Sequence, residues 1–494
     1  MRESVTEQTL TKWYRDMTQH TGNISPTPSG PSNAGAPLRA SAAGHILILG
    51  GGIAGLSAAW ELEHLGLRYT LVEAAPRLGG MIQSARFEGF VAEGGPETFI
   101  TRKPELWNLA HEVGLAASLV PIRSETSGAA VLHNGKVMHV PLSPLLFVTS
   151  PLLSWRGKLR MMAEPFIPAR TDDVDETLAA FAQRRLGQEA SDRLIAPILS
   201  GIYNSDAERQ SIMTTASVMR ELEKHGSLIR GTLATMRHRR AEQRAGGAVR
   251  PRSVSFANGA QELVDRLAQQ LTGTLLLNTQ LTDLAKHKGG YIATTAAGDT
   301  IAVDAVILAI PASAAAALLG DLSPTAVQLL NQIRFASIGT VALGFRRAAM
   351  REAPPVSSLM IPRRARRRID AVLWRPDRAP ADHTLLRVFF GGGDPALLDL
   401  DDAALLAAVR DELRDLLQIT DAPVAHRVFR WPHGFPQADV GHLSLIDRIE
   451  AALPPTIALA GNSYRGIGVP DCVRQGRMAA QRVAAVVAAQ ASTD

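Results

Sequence analysis

Apolar residues along the chain change their period in a way that predicts its elements. His45-Ile-Leu-Ile-Leu49 is a continuous apolar run, the length of a parallel strand buried on both faces. Apolar positions at Leu56, Ala59, Leu62 and Leu65 then keep helical spacing up to Gly66, and Tyr69-Thr-Leu-Val72 is a second strand that ends on Glu73. After Phe99 the spacing turns helical: 107–114, 175–186 and 189–199 are predicted helices, and 215–244 is a longer basic one. Strands at 253–256 and 274–277 flank a helix at 260–271; 291–295 and 300–303 alternate like a meander, and 305–309 is a buried strand. The stretches 337–345, 358–361, 372–374 and 384–390 are predicted strands of a second sheet, followed by a helix at 405–417. The last predicted strand, 456–460, runs through a glycine-rich segment into a final helix from Asp471 to about Ala488.

Composition narrows the class. The 494 residues can bury a large core in two or three lobes, and 46% hydrophobic with 20% charged residues is a globular balance. The formal net charge of +5 is carried by arginine, because every lysine lies at or before Lys288. That excess suits anionic small molecules or an anionic membrane surface. No basic stripe is interleaved with stacking aromatics, which argues against nucleic acid. The single cysteine, Cys472, excludes an internal disulfide framework and a multi-cysteine metal site, so no metal is expected and a cytoplasmic location fits. No apolar run reaches the roughly 18 residues of a membrane span. The nearest, 142–153, is broken by Pro144 and Pro151 and reads as a buried or lid segment, with interfacial membrane contact as the alternative. Residues 1–44 hold a linker-like Ser/Pro/Gly stretch at 25–35 and read as a disordered extension.

The chemistry starts between the first two strands. Gly50-Gly-Gly52-Ile53-Ala54-Gly55 is a G-x-G-x-x-G turn inside a complete βαβ unit. Gly50 permits the tight turn, Gly52 lets backbone approach a pyrophosphate, and Gly55 lets helix and strand pack closely, with the helix N-terminus toward the phosphates. Glu73 would accept hydrogen bonds from ribose hydroxyls and repel a 2′-phosphate. The motif therefore predicts a Rossmann-like dinucleotide site. Arg77-Leu-Gly79-Gly80 resembles the second signature of flavoproteins with the amine-oxidase-like fold, in which an arginine and two glycines lie along the FAD diphosphate. Gly94-Gly95-Pro96-Glu97-Thr98 reads as a further glycine turn where backbone can approach a flat ring. The expected cofactor is FAD.

Longer stretches make the resemblance more specific. Gly95–Phe99 with Arg102-Lys-Pro104, Ile195-Ala-Pro-Ile-Leu-Ser-Gly-Ile-Tyr203, Arg430-Trp-Pro-His-Gly-Phe-Pro-Gln437 with Val440-Gly-His442, and Ala460-Gly-Asn-Ser-Tyr-Arg-Gly-Ile-Gly-Val-Pro-Asp-Cys472 resemble the oxygen-dependent porphyrinogen oxidases of haem and chlorophyll synthesis, from about residue 45 to the C-terminus. The resemblance implies an α/β fold with an α+β second lobe: a Rossmann-like FAD-binding domain of the amine-oxidase and hydroxylase type, a mixed-sheet substrate domain and a helical insertion. It divides the chain into an extension (1–44), FAD-binding parts at 45–99, 251–321 and 429–494, a helical substrate region (100–250) and a substrate-binding domain (322–428). FAD would contact Gly50 to Gly55, Glu73, Arg77, Gly79, Gly80, Gly95 to Thr98, Leu281, Trp431, Gly461, Ile467, Gly468 and Val469. Substrate would lie near Arg102, Lys103, Gly201, Leu359, Met360, Ile361 and Phe389. The mitochondrial enzymes place an arginine for a propionate where this chain has Ala129, so the sequence looks more like the Gram-positive type acting on coproporphyrinogen III. Arg102 and Lys103 are then the nearest propionate candidates, and the arginine loop 363–368 could gather a polyanionic substrate or touch lipid headgroups.

The implied reaction takes six electrons from a porphyrinogen in three two-electron steps to the flavin, which O₂ reoxidises with release of hydrogen peroxide. Aromatisation drives it, so the protein need mainly bind, orient and exclude water, and no catalytic residue is assigned. His433 and His442 are candidates by proximity alone. The implied partners are porphyrinogen, O₂ and a chelatase receiving the product, with peripheral membrane contact and a monomer or homodimer left open. Protoporphyrinogen IX is the alternative substrate. A flavin amine oxidase is a weaker reading, because the 338–345 strand lacks the lysine such enzymes usually carry. A carotenoid-type desaturase should bring a longer apolar region, and a flavin-free GDP-dissociation-inhibitor scaffold does not suit the intact phosphate turn with Glu73 and Arg77.

Overall fold

The computed structural model describes residues 44–122, 128–141, 144–198, 205–244, 253–350 and 356–491. Five parallel strands run in the order Thr274–Leu276, Arg68–Val72, His45–Leu49, Ala305–Leu308, Ile457–Leu459. His45–Leu49 and Ala305–Leu308 are buried at every position, which is why they read as apolar runs without alternation. One face carries the helix Ile53–His64 and the C-terminal helix Val469–Ala491. A Cβ on Gly476 would lie 2.1 Å from the Ala54 carbonyl oxygen, so the two helices cross at backbone contact. The other face carries the meander Leu281–His287, Gly290–Thr295 and Thr300–Val303, with helices Ala312–Leu319, Pro324–Leu330 and His442–Ala452.

A second sheet of seven strands runs Ala425–Gln437, Arg334–Arg346, His383–Phe390, Ile369–Trp374, Ser358–Met360, Ala129–His133, Lys136–His139. Strand alternation divides its side chains between two cores. Leu359, Val372, Leu386, Val388 and Phe390 pack under the helix Asp402–Leu417. Met360, Ala371 and Val131 point the other way, toward Leu152, Leu186 and Leu194 of the helical region.

Several elements differ from the sequence pattern. The region 100–250 is not purely helical: Ala129–His133 and Lys136–His139 form a hairpin that extends the second sheet. The helix expected at 189–199 forms over 188–198, with a wider turn at Ser191–Ile195 inside it. The one expected at 215–244 is three pieces: Ile212–Thr215, Ser217–Glu223 and Leu228–Arg244. Gly226 takes a positive φ of 88° between the last two, and Gly231 comes so close to Leu222 that a Cβ would lie 2.4 Å from its carbonyl oxygen. A buried ion network holds the reversal. Fully buried Arg185 reaches Glu164 and Glu223, and the Glu164 carboxylate accepts the Leu228 N–H at 2.8 Å. The long edge strand Ala425–Gln437 escaped notice because its prolines and glycine disguise it; an edge tolerates them. The final helix starts at Val469, two residues earlier than expected, with Pro470 in its first turn. The 1–43 extension, Gly201 with its 199–204 stretch, and the 245–252 loop lie outside the described residues.

Phe390 is wholly buried where Gly339 opposes it, a Cβ there falling 2.1 Å from the ring. Phe390→Ala should destabilise by about 3–5 kcal/mol, read as a lowered urea midpoint in Trp374 fluorescence. An unchanged midpoint would show that this face is not tightly packed.

Candidate functional site

The phosphate turn is built by missing side chains. A Cβ on Gly55 would lie 1.9 Å from the Gly50 carbonyl oxygen, and one on Gly50, at φ 101°, would lie 2.4 Å from the Ala309 oxygen. Gly52 instead faces open space, a Cβ there meeting nothing nearer than the Gly80 Cα at 4.0 Å, whereas Gly80, at φ 56°, is pressed to it, its own Cβ falling 3.2 Å from the Gly52 Cα. Gly52 caps the helix Ile53–His64 and offers no side chain to its first N–H groups, including those of Ile53, Ala54 and Gly55. The result is a cradle with free donors at the positive end of a helix dipole, which fits a pyrophosphate. Gly79 closes it by donating to the Gly51 carbonyl at 2.7 Å.

Glu73 sits at the rim. Its carboxylate accepts the Gly51 N–H at 2.6 Å and the Ala75 N–H at 2.8 Å. Burial pushes its pKa up from the ordinary value, against those N–H groups and the Arg77 charge. The chain past Thr274–Leu276 runs beside it, Thr279 donating to the Glu73 carbonyl at 3.0 Å, and this places the buried Leu281 nearby. Arg77 donates to the Ile82 and Gly80 carbonyls at 3.0 and 2.5 Å, and its guanidinium lies 5.8 Å from the Trp431 ring.

Trp431 leads to the second glycine segment. Its indole N–H donates to the Gly94 carbonyl at 2.8 Å. A Cβ on Gly95 would strike the Met81 carbonyl oxygen at 1.8 Å, and one on Gly94 would enter the Phe429 ring at 2.5 Å. Pro96 is half-buried and Thr98 exposed. Glu97 is 6% exposed, and its carboxylate pairs with Arg375 and, at 3.3 Å, with Arg387. Its side chain therefore locks the segment to the second sheet.

The C-terminal loop closes the other side. Gly461 has φ 133°, and Asn462 donates to the Gly434 carbonyl at 3.3 Å. Gly468 and the buried Val469 lead into the last helix. Ile467 borders a small pocket lined also by Gln210, Thr214, Thr215, Phe435 and Tyr464. His442 shares this wall, but its Nε2 is 2.8 Å from the Tyr464 carbonyl, and burial pulls its pKa below the ordinary value. His433 is exposed, and its backbone N–H donates to Ser337 at a strand irregularity. Both histidines serve the framework.

The expected substrate residues separate. Met360 and Phe389 point toward the helical region, whereas the side chains of Leu359 and Ile361 lie in the core under Asp402–Leu417. The strand period of two forbids three consecutive residues from sharing a face, so the expectation for those two side chains is corrected. Ala129 joins the Met360 side. Lys103 is committed to Asp471 through both carboxylate oxygens at 2.6 and 2.7 Å, and Arg102 is exposed. In the arginine loop, Arg368 pairs with Asp394 at 2.8 Å and Arg367 lies near Glu412 and Asp415. Sequence reasoning missed Arg375, Arg387, Met81 and Asn462. Arg387 did leave a signal, a charge in the middle of the apolar strand HTLLRVFF.

The family described as flavin containing amine oxidoreductase matches residues 53–484. The chain is 34% identical over 459 residues to the coproporphyrinogen III oxidase of Bacillus subtilis, covering 88% of this chain and 97% of that one. It is 29% identical to the chloroplastic protoporphyrinogen oxidase 1 of Spinacia oleracea, covering 86% and 82%. A crystal structure from Exiguobacterium superposes with TM-score 0.78 at 30% identity, over 90% of this chain and 99% of that one. Cyclohexylamine oxidase of Brevibacterium oxydans shares the fold, with TM-score 0.66 at 17% identity.

Gly55→Ala should displace the Gly50 turn and weaken FAD binding at least about tenfold, or 1.4 kcal/mol, so that the protein purifies pale. A fully yellow variant would contradict the cradle. Burial pushes the Cys472 thiol up to about 12, so it should resist iodoacetamide at about pH 8 and react once urea is added. Rapid labelling of the native protein would show that the start of the last helix is open.

Proposed function

Because the chain belongs to the flavin-containing amine oxidoreductase family, we propose that it is an FAD- and O₂-dependent porphyrinogen oxidase of haem biosynthesis whose substrate is coproporphyrinogen III. One observation carries the substrate: the near full-length similarity to a relative named for that compound, at 34% identity against 29% for the plant relative named for protoporphyrinogen. Bound FAD supplies a two-electron acceptor that O₂ can reoxidise, so the six-electron oxidation of a porphyrinogen takes three rounds.

The chain's own residues supply position and enclosure. Gly50 to Gly55, Gly79 and Gly80 cradle the diphosphate, Glu73 takes the ribose, and Arg77 with Trp431 flanks the path to the ring. The Gly95–Thr98 backbone and the loop from Gly461 through Ile467 to Val469 border the ring from two sides. N–H groups at the start of the last helix would favour negative charge there. Met360 and Phe389 offer an apolar floor to the macrocycle, and none of these groups needs to act as a base. Lys103 would have to exchange Asp471 for a substrate carboxylate, which leaves Arg102 the readier propionate partner. Residues 251–321 and 429–494 rejoin 45–99 as the FAD-binding part, with 322–428 the substrate part.

Among the described residues no helix is long and apolar enough to cross a membrane. Trp155, Leu159 and Phe166 are 65%, 64% and 83% exposed on the helical region and would suit peripheral contact with a bilayer. A second reading, protoporphyrinogen IX as substrate, is supported by the 29% identity to the chloroplastic relative named for that compound.

Mixing the yellow protein in air with each porphyrinogen and following porphyrin fluorescence separates the readings. Coproporphyrinogen III should react faster by at least about tenfold, or 1.4 kcal/mol in kcat/KM. The reverse preference would establish the second reading, and fluorescence from neither substrate would overturn both.

A further inference from the structure

A charge inside an apolar strand requires partners, and those of Arg387 are unusual. The residue is 5% exposed in His383–Phe390. Its Nη2 donates to the Gly95 carbonyl at 2.7 Å, and its Nη1 reaches Glu97 at 3.3 Å. The guanidinium lies 4.7 Å from the Phe389 ring centroid, and its Nε has no partner. Arg387 and Phe389 are two positions apart and so share the face turned toward the glycine segment.

Glu97 does not depend on Arg387 for neutralisation. Arg375 also pairs with it, and Asp377 holds Arg375 through bonds of 3.0 and 2.8 Å. The Glu97 carbonyl accepts the Ser255 hydroxyl at 2.7 Å. What Arg387 alone adds is the bond to the Gly95 carbonyl and the contact with Phe389. A lysine could balance the charge, but only a planar fork can meet a carbonyl, a carboxylate and a ring face together. Gly94 is meanwhile held by the Trp431 indole and by its own N–H to the Gln83 carbonyl, and Arg387 holds the next carbonyl, that of Gly95.

We propose that Arg387 is a positioning residue for the oxidation: one guanidinium fixes the Gly95 peptide that borders the flavin and the Phe389 ring that supports the substrate, and so sets their separation. This rests on the proposed placement of flavin and porphyrinogen. Arg387 touches neither of them. A misplacement of about 1 Å between reacting groups can slow a reaction by about a hundredfold without changing binding.

The test uses FAD-loaded Arg387→Met and Arg387→Lys, with anaerobic flavin reduction by coproporphyrinogen III, reoxidation by O₂, visible circular dichroism of the bound flavin, and thermal melting. Arg387→Met should slow flavin reduction at saturating substrate by at least about tenfold, with KM within about threefold and reoxidation within about twofold. Its flavin dichroism should change, and Arg387→Lys should recover only part of the rate. A reduction rate within about twofold of wild type at matched FAD content would overturn the proposal, as would equal losses in both half-reactions that track the melting temperature. Should the Met variant fail to fold, a wild-type rate and dichroism in the Lys variant would overturn it equally. If wild-type protein reacts with no porphyrinogen, the functional reading fails instead. The dichroism of both variants then decides the flavin half: unchanged spectra overturn it and altered spectra support it.

Discussion

Parallel strands cannot be joined by tight turns, and this constraint organises the molecule. The five strands of the first sheet must be joined by four crossovers, and some crossovers have grown into whole lobes. Between Arg68–Val72 and Thr274–Leu276 the chain builds the helical region and two strands of the second sheet. Between Ala305–Leu308 and Ile457–Leu459 it builds the other five. Every strand of the first sheet ends toward one edge, so the phosphate turn after Leu49, Glu73 after Val72 and the glycine loop after Leu459 meet there. Such an edge, outside the carboxyl ends of the strands, is where ligands of open α/β sheets bind.

The second sheet is fastened to this edge by buried charge rather than by apolar packing alone. Burial holds Arg387 below its ordinary pKa while Glu97 opposes the shift. Arg378 donates to the carbonyls of Phe256 and Ala257, drawing in a third strand system. Such a junction adds little net stability over well-packed apolar side chains, since desolvation offsets much of the attraction. It does impose direction: guanidinium forks accept few arrangements, whereas apolar surfaces can slide.

The parts legible in the sequence were those with strong local rules. Continuous apolar runs gave the parallel strands, and the glycine spacing gave the cradle. Edge strands were harder. The strand Ala425–Gln437 contains Pro432, Gly434 and Pro436, tolerable only because one side of it is unpaired, which is a tertiary fact. The break around Gly226 likewise follows from the buried Arg185 network and from close helix contact. The glycine turns at 50–55 and 94–95 are tied together through Arg77 and Trp431, while the side chains of Leu359 and Ile361 turn to the core because a resemblance names stretches and a strand sorts each stretch by parity. Arg387 was missed because its partners lie about 290 residues away.

That parity has an evolutionary consequence. In the central strands of the second sheet, alternate positions answer to different demands, one row to the fold and the other to whatever rests on it. Substitutions along the row containing Met360 and Phe389 can reshape a binding surface without opening a hole beneath the covering helix. Those along the row of Leu359, Val388 and Phe390 are judged on folding alone. A lineage could thus exchange one ligand for a bulkier or more highly charged relative through a few alternate codons, keeping its scaffold untouched.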